Sequence, residues 1–480
     1  MKELAECVSA AFGEVSLSRK RSPHRGRIGF AVLSGVFSLC FCAPCLPQSS
    51  PRVRYLHFDE VREVVGEFRA LGETLPFEDS EESWSRWLAA QDAETRSRID
   101  EGVADSISNL ILYGTSFTSL PRVESYEEAA KDDALVPLAR QRLIAFVRAV
   151  AQANSGERMM LAKSFLARQK ISSGETEKYL EQNLKRFVEA QREYQKKVDA
   201  SAGQADAGEA LGVRGTLFAD RGLSVDTSLL PNFALERTLA SMLKKGAIRA
   251  GSMHRVAIIG PGLDYADKRR GYDFYPLQTI QPFAVVDTLA RLGLSDKTGV
   301  ALTAFDLNHT VLDHVDRLAR AARRGRGYTI QLPRDLAADW SPEAIEYWRH
   351  FGEGIGAEVR AIPIPKSLPQ AVTRAVRVRP EIAARVSSLD LNVVAQTVDL
   401  AEGAGYDLIV ATNVLVYYDR FGQAVGMAGI TRLLNPGGIF LCNNALPAQH
   451  PPELKYLGRL SVAFSASHSY GDDVVVYRKQ

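Results

Sequence analysis

The chain has 480 residues, a length that suggests two or three folded units, with 46% hydrophobic and 24% charged residues, ample for a large core. Lys and Arg number 59 against 57 for Asp and Glu, a net charge of +2, so no field of one sign points to nucleic acid or an anionic surface. Cys40, Cys42 and Cys45 share one window while Cys7 and Cys442 stand alone, a pattern that builds neither a disulfide framework nor a paired zinc motif.

In chain order, residues 1–50 read as a signal peptide or membrane anchor. A basic segment, Ser18 to Arg27, precedes an apolar run over residues 28–43 that is short for a spanning helix. Export or anchoring is the localisation this predicts; a cytoplasmic protein follows if the start site is misplaced. Residues 51–200 repeat apolar positions three and four apart and predict an α-helical accessory domain. Its clearest helix carries the stripe Leu180, Leu184, Phe187, Tyr194 and Val198. Small polar residues at 201–213 predict a linker.

From 214 to 480 the pattern changes to aliphatic strands alternating with helices, which predicts an α/β domain with a mainly parallel sheet. The predicted strands are His254 to Gly260, Gly299 to Asp306, Leu391 to Asp399, Tyr406 to Val416 and Gly437 to Ala445, closed by a terminal antiparallel hairpin. Helices are expected over 278–293, 310–323 and 419–434, and an insertion over 325–390.

The first strand breaks into Gly260-Pro261-Gly262, a corner where backbone N–H groups can approach a ligand. A dinucleotide turn wants a third glycine where Tyr265 stands, which disfavours NAD, and no Gly-Lys-Ser/Thr follows to make a phosphate loop. The second strand ends in Asp306, an acid able to accept hydrogen bonds from a ribose diol; its alternative role is to cap the helix that Asn308 and Thr310 begin.

The stretch "YDLIVATNVLVYYD…LLNPGGIFL" resembles the class I S-adenosylmethionine-dependent methyltransferases, over about Met253 to Lys479. The resemblance implies a Rossmann-like seven-stranded sheet with S-adenosyl-L-methionine as cofactor. Carried onto this chain, it makes Gly260 and Gly262 the turn under the methionine part, Asp306 with Leu307 beside it the ribose ligand, and Asp399 the group near the adenine amine. Asn413 falls beside the sulfonium. Two positions depart from the family: Ile258 replaces the usual acid before the first glycine, and Asp264 stands at the third glycine, either replacing that acid from the other side of the turn or marking lost cofactor binding. His309, Tyr417 and Asp264 are candidate bases, and Tyr272 and Tyr275, with Phe274, form a predicted aromatic lid over an unidentified small-molecule or protein acceptor. The alternative function is a non-catalytic nucleoside- or ligand-binding protein on the same scaffold.

Overall fold

The computed structural model describes residues 52–126, 128–131, 134–152, 156–202, 222–223, 226–265, 272–295, 299–444, 446–467 and 470–480, with side chains of the helix ending at 202 described to residue 196. The predicted signal or anchor over 1–50, and the linker and domain start near 201–214 apart from residues 201 and 202, lie outside them. No helix among the described residues is long and apolar enough to cross a membrane.

Seven strands form the central sheet: β1 (Arg255–Ile259), β2 (Ala301–Asp306), β3 (Val386–Asp390), β4 (Tyr406–Ala411), β5 (Leu434–Cys442), β6 (Leu454–Ala463) and β7 (Gly471–Lys479). Their spatial order is β6-β7-β5-β4-β1-β2-β3. Pairings from β3 to β5 are parallel, while β7 runs antiparallel to both β5 and β6. This is the Rossmann-like α/β sheet with a terminal antiparallel hairpin that the methyltransferase resemblance implies. Strand order reverses between β1 and β4, and the crevice above such a switch point is where open α/β sheets hold ligands.

Alternate side chains of each strand serve opposite faces. Val256 and Ile258 of β1, Leu408 and Val410 of β4, and Ile439 and Leu441 of β5 pack toward the helices Leu230–Lys244, Gln281–Arg291 and His309–Arg323. Ala257 and Ile259, Ile409 and Ala411, and Phe440 and Cys442 face the helix Arg420–Leu433 together with Phe68 and Trp84 from the amino-terminal part. Near-continuous aliphatic strands are therefore legible as strands because both faces are covered.

The helical region includes Arg62–Ala70, Glu81–Tyr113, Pro137–Ala151, Glu157–Arg168 and Thr176–Ala202. Residues 51–480 form one compact unit. The long helix begins where the Ser80 hydroxyl accepts the Ser83 N–H at 3.2 Å, and its buried Trp84 donates Nε1 to the Leu56 carbonyl at 2.7 Å. Leu180, Leu184 and Phe187 of the expected stripe are core residues packed with Ile107, Phe146 and Phe165.

One expectation needs correction. The third sheet strand is Val386–Asp390, within the stretch expected to be insertion, and not Leu391 to Asp399. An edge strand exposes part of one side, so polar Ser387 and Ser388 are tolerated there, whereas Val393, Val394 and Ala395 are apolar because they fill the core as loop. The rest of the insertion is a three-stranded antiparallel sheet, Tyr328–Asp335, Ala371–Val378 and Gly356–Val359, with the helix Pro342–His350 between its first two sequence segments.

Candidate active site

The carboxyl ends of β1, β2 and β4 open into a cavity of about 520 Å³, a size suited to a cofactor. Gly260, Gly262, Asp306, Leu307, Asn413 and Tyr417 all line it, so residues up to 157 positions apart in sequence share one wall. Gly260 and Gly262 adopt φ of 66° and 65°, backbone that favours glycine. A Cβ on Gly260 would also sit 2.7 Å from Val414 Cγ2.

Asp306 ties the corner to β2. Its carboxyl accepts the Asn308 N–H at 2.8 Å, and the Leu307 and Gly262 N–H groups nearby also favour its charged form. Burial nevertheless raises its pKa to about 6, with the nearby Asp390 adding a smaller upward push against those hydrogen bonds. Asp306 does not cap the next helix. Asn308 does, its Oδ1 accepting the Thr310 N–H at 2.9 Å. Capping leaves Asn308 Nδ2 buried at the cavity wall without an acceptor. Leu307, Leu391 and Val393 supply apolar surface beside it.

Asn413 follows β4 with φ of 56°, one of two non-glycine residues in that region among those described. A pair of amide contacts holds it there: the Asn413 N–H donates to Asn443 Oδ1 at 2.7 Å, and Asn443 Nδ2 donates to Asn413 Oδ1 at 2.9 Å and to Asp472 at 3.0 Å. Asp472 is pushed up to about 6 by burial. Strain at this position is thus sustained by β5 and β7. Buried Cys442, at the end of β5, has its thiol raised to about 12 by burial and is chemically inert.

Three expected site residues lie elsewhere. Asp399 is exposed on a short strand, Gln396–Asp399, that pairs with Arg52–Tyr55, and its carboxylate accepts Arg54 Nε at 2.7 Å. The acid at the tip of the third strand is Asp390, opposite Asp306 in register. Arg96 of the long helix binds that carboxylate in two-pronged fashion at 3.1 and 2.8 Å. His309 is the exposed first residue of its helix and lines neither of the two cavities described here. Asp264 turns away from the first cavity into a second, of about 380 Å³, where it accepts the Tyr275 hydroxyl at 2.8 Å and Gln278 Nε2 at 2.9 Å.

Tyr272 and Tyr275 line this second cavity and are buried, with only 5% and 4% of their surface exposed. The helical region grips the described segments on either side of residues 266–271. Arg158 donates to the carbonyls of Tyr265, Tyr275 and Asp264 and lies over the Tyr275 ring. Glu157 accepts the Leu277 N–H at 2.8 Å, and Asp273 accepts the backbone and hydroxyl groups of Thr115 and Ser116. From the insertion side, Gln278 Nε2 donates to the Gln331 carbonyl and its Oε1 accepts the Gln331 N–H, both at 2.8 Å.

Sequence reasoning missed several lining residues. Ile99 and Tyr194 reach the first cavity from the helical region, and Asp226 reaches it from just before the helix Leu230–Lys244. Asp226 forms a parallel bridge with Leu263, next to the glycine corner, and accepts the Ser106 hydroxyl at 3.1 Å. No periodicity or motif surrounds Asp226, so nothing local could have flagged it.

No family model matches the sequence, and no curated protein matches it either. Solved structures similar to the chain include TrmN from Thermus thermophilus, at 14% identity and a TM-score of 0.25, the match covering 52% of each chain and so about half of TrmN. The N-methyltransferase NodS from Bradyrhizobium japonicum, in complex with S-adenosyl-L-homocysteine, aligns at 12% identity and a TM-score of 0.26 over 60% of this chain and 98% of its own. Magnesium protoporphyrin IX methyltransferase (ChlM) from Synechocystis with bound S-adenosylmethionine aligns at 9% and 0.24, over 59% and 97%.

Proposed function

We propose that this chain transfers a methyl group from S-adenosyl-L-methionine to an acceptor held in the second cavity. The observation that carries the reading is that the glycine corner and Asp306, at the ends of the paired strands β1 and β2, line one cavity wall above the strand-order reversal.

The donor set suits an adenosyl group. Asp306 offers a carboxylate to a ribose hydroxyl, and the orphaned Asn308 Nδ2 offers a donor to a ring or sugar oxygen or nitrogen. Leu307, Leu391 and Val393 form the apolar slot for a purine. Asp226, beside the glycine corner, supplies a carboxylate for the amino group of the methionine part, in place of the acid that Ile258 lacks. Sulfonium-bound methyl is electrophilic when the cofactor is bound, so the protein's part is alignment and exclusion of water more than covalent help. Tyr417 and Asn413 line that side of the cavity, and Asp264, with Tyr275 on it, is the base of the acceptor side.

Calorimetry with S-adenosylmethionine and S-adenosylhomocysteine tests this, with saturable heat expected at micromolar to millimolar ligand and none at millimolar overturning it. Asp306→Ala should weaken binding by about 1–3 kcal/mol, the cost of leaving ligand hydroxyls and backbone donors unpaired. The apolar Ile258 and the turned-away Asp264 favour a second reading, a ligand-binding protein without turnover. Binding without any release of S-adenosylhomocysteine in the presence of small-molecule extracts would favour it. Export or anchoring through residues 28–43 is a separate proposal, tested by fusing the first 50 residues to a reporter active only after export.

A further inference from the structure

The second cavity contains an arginine that no described carboxylate pairs. Arg334, half-buried on the strand Tyr328–Asp335, lines it. Its guanidinium carbon lies 5.9 Å from the Trp340 ring centroid and 5.3 Å from that of Trp348. Trp348 is fixed by donating Nε1 to the Leu332 carbonyl at 3.0 Å. The Arg334 Nε is buried without an acceptor, and among the described residues no carboxylate or carbonyl takes its remaining donors. Its neighbour Arg374 also packs over Trp348 but spends its donors on the Trp348 and Phe351 carbonyls and on Glu358. An arginine within cation–π reach of two indoles, its fork taken by no described carboxylate or carbonyl, is organised in advance for a planar oxyanion.

Three acids share the cavity, but each is engaged by donors of the protein. Asp264 takes Tyr275 and Gln278; Asp335 takes the Ala337 N–H at 2.7 Å; Asp339 takes the hydroxyls of Ser465 and Ser467 and the Ser467 N–H. Thr227, Ser228 and Tyr470 line both cavities, so a molecule anchored at Arg334 extends toward the first one across that shared wall.

We propose that the second cavity recognises its occupant through a carboxylate bound by Arg334, and that the methyl acceptor is a small carboxylate-bearing molecule whose other end lies at the shared wall. The substrate class rests on the methyltransferase reading, whereas the anion site stands on Arg334 alone.

The test titrates the full chain, saturated with S-adenosylhomocysteine, with benzoate, phenyl phosphate, benzamide and benzylammonium, following tryptophan fluorescence. Benzoate should saturate and bind at least about tenfold more tightly than benzamide or benzylammonium, the preference expected of a charge-assisted two-pronged contact. Arg334→Gln should lose that preference and Arg334→Lys should keep part of it, while calorimetric affinity for S-adenosylhomocysteine stays within about twofold, which shows the variants are folded. Equal binding of benzoate and benzamide, a preference for benzylammonium, tighter binding of phenyl phosphate than of benzoate, or an unchanged Arg334→Gln each overturns the carboxylate assignment. Should S-adenosylhomocysteine give no heat while benzoate alone still discriminates, the methyltransferase reading fails and the anion site survives.

Discussion

Asp306 accepts the Asn308 N–H, with the Leu307 and Gly262 N–H groups nearby, and still holds its proton up to about pH 6, because burial outweighs those donors. The sign of its pH effect follows. In the free protein its pKa lies above the ordinary 3.8, so the folded form binds more protons between about pH 4 and 6; the stability it contributes is present below that window and lost as pH rises through 6. A ribose hydroxyl donates to the ionised form, so affinity for S-adenosylmethionine should be level above pH 7 and fall below about pH 6, by up to about tenfold per unit. Calorimetry from pH 5 to 8 checks this, and a flat profile would mean the carboxyl takes no ligand proton. The residue was readable as a strand-end acid. What could not be read was its place beside Gly262 on one cavity wall, since the two segments meet only through the pairing of β1 with β2.

At the scale of elements, two clamps hold the site. The first is Arg96 on the helix Glu81–Tyr113, whose fork binds Asp390 beside Asp306 and whose Nε binds Asp92 at 3.0 Å. Arg96→Ala leaves the Asp390 charge unpaired next to Asp306, so the pH midpoint of cofactor affinity should move upward; the same titration on the variant measures it. The second is Asp273, which gathers Thr115 and Ser116. Asp273→Ala orphans two backbone N–H groups and should cost about 3 kcal/mol, with faster hydrogen exchange concentrated at residues 272–280. Helix positions were legible here because amphipathic periods and a cap such as Asn308 are local signals. The third strand was not, since its edge position relaxes the apolar requirement that made the others visible.

In the whole molecule the helical region serves as wall as well as support. Phe68, Phe77 and Trp87 pack on the face of the helix Arg420–Leu433 that carries Phe421, in one core with Trp84, Leu88 and the sheet residues Ile259, Ile409 and Phe440, and the Trp84, Trp87, Phe77 and Phe421 rings lie 5.1 to 5.7 Å apart in their contacting pairs. A chain beginning at residue 226 would expose that face, and it should bind a hydrophobic dye strongly and lose its cooperative thermal transition; a sharp transition with low dye binding would show that the α/β part folds alone. The sequence by itself determined the alternation of strands and helices, the glycine corner and the acid after β2, because periodicity, turn chemistry and capping are set by neighbours a few residues apart. Only the tertiary structure decided that Asp399 stands aside, that Asp264 faces a second cavity, that Asp226 and Ile99 complete the first, and that Arg334 packs over two indoles with its Nε lacking an acceptor. Those facts depend on which distant segments pack together, and burial and pairing at that range leave no trace in local order.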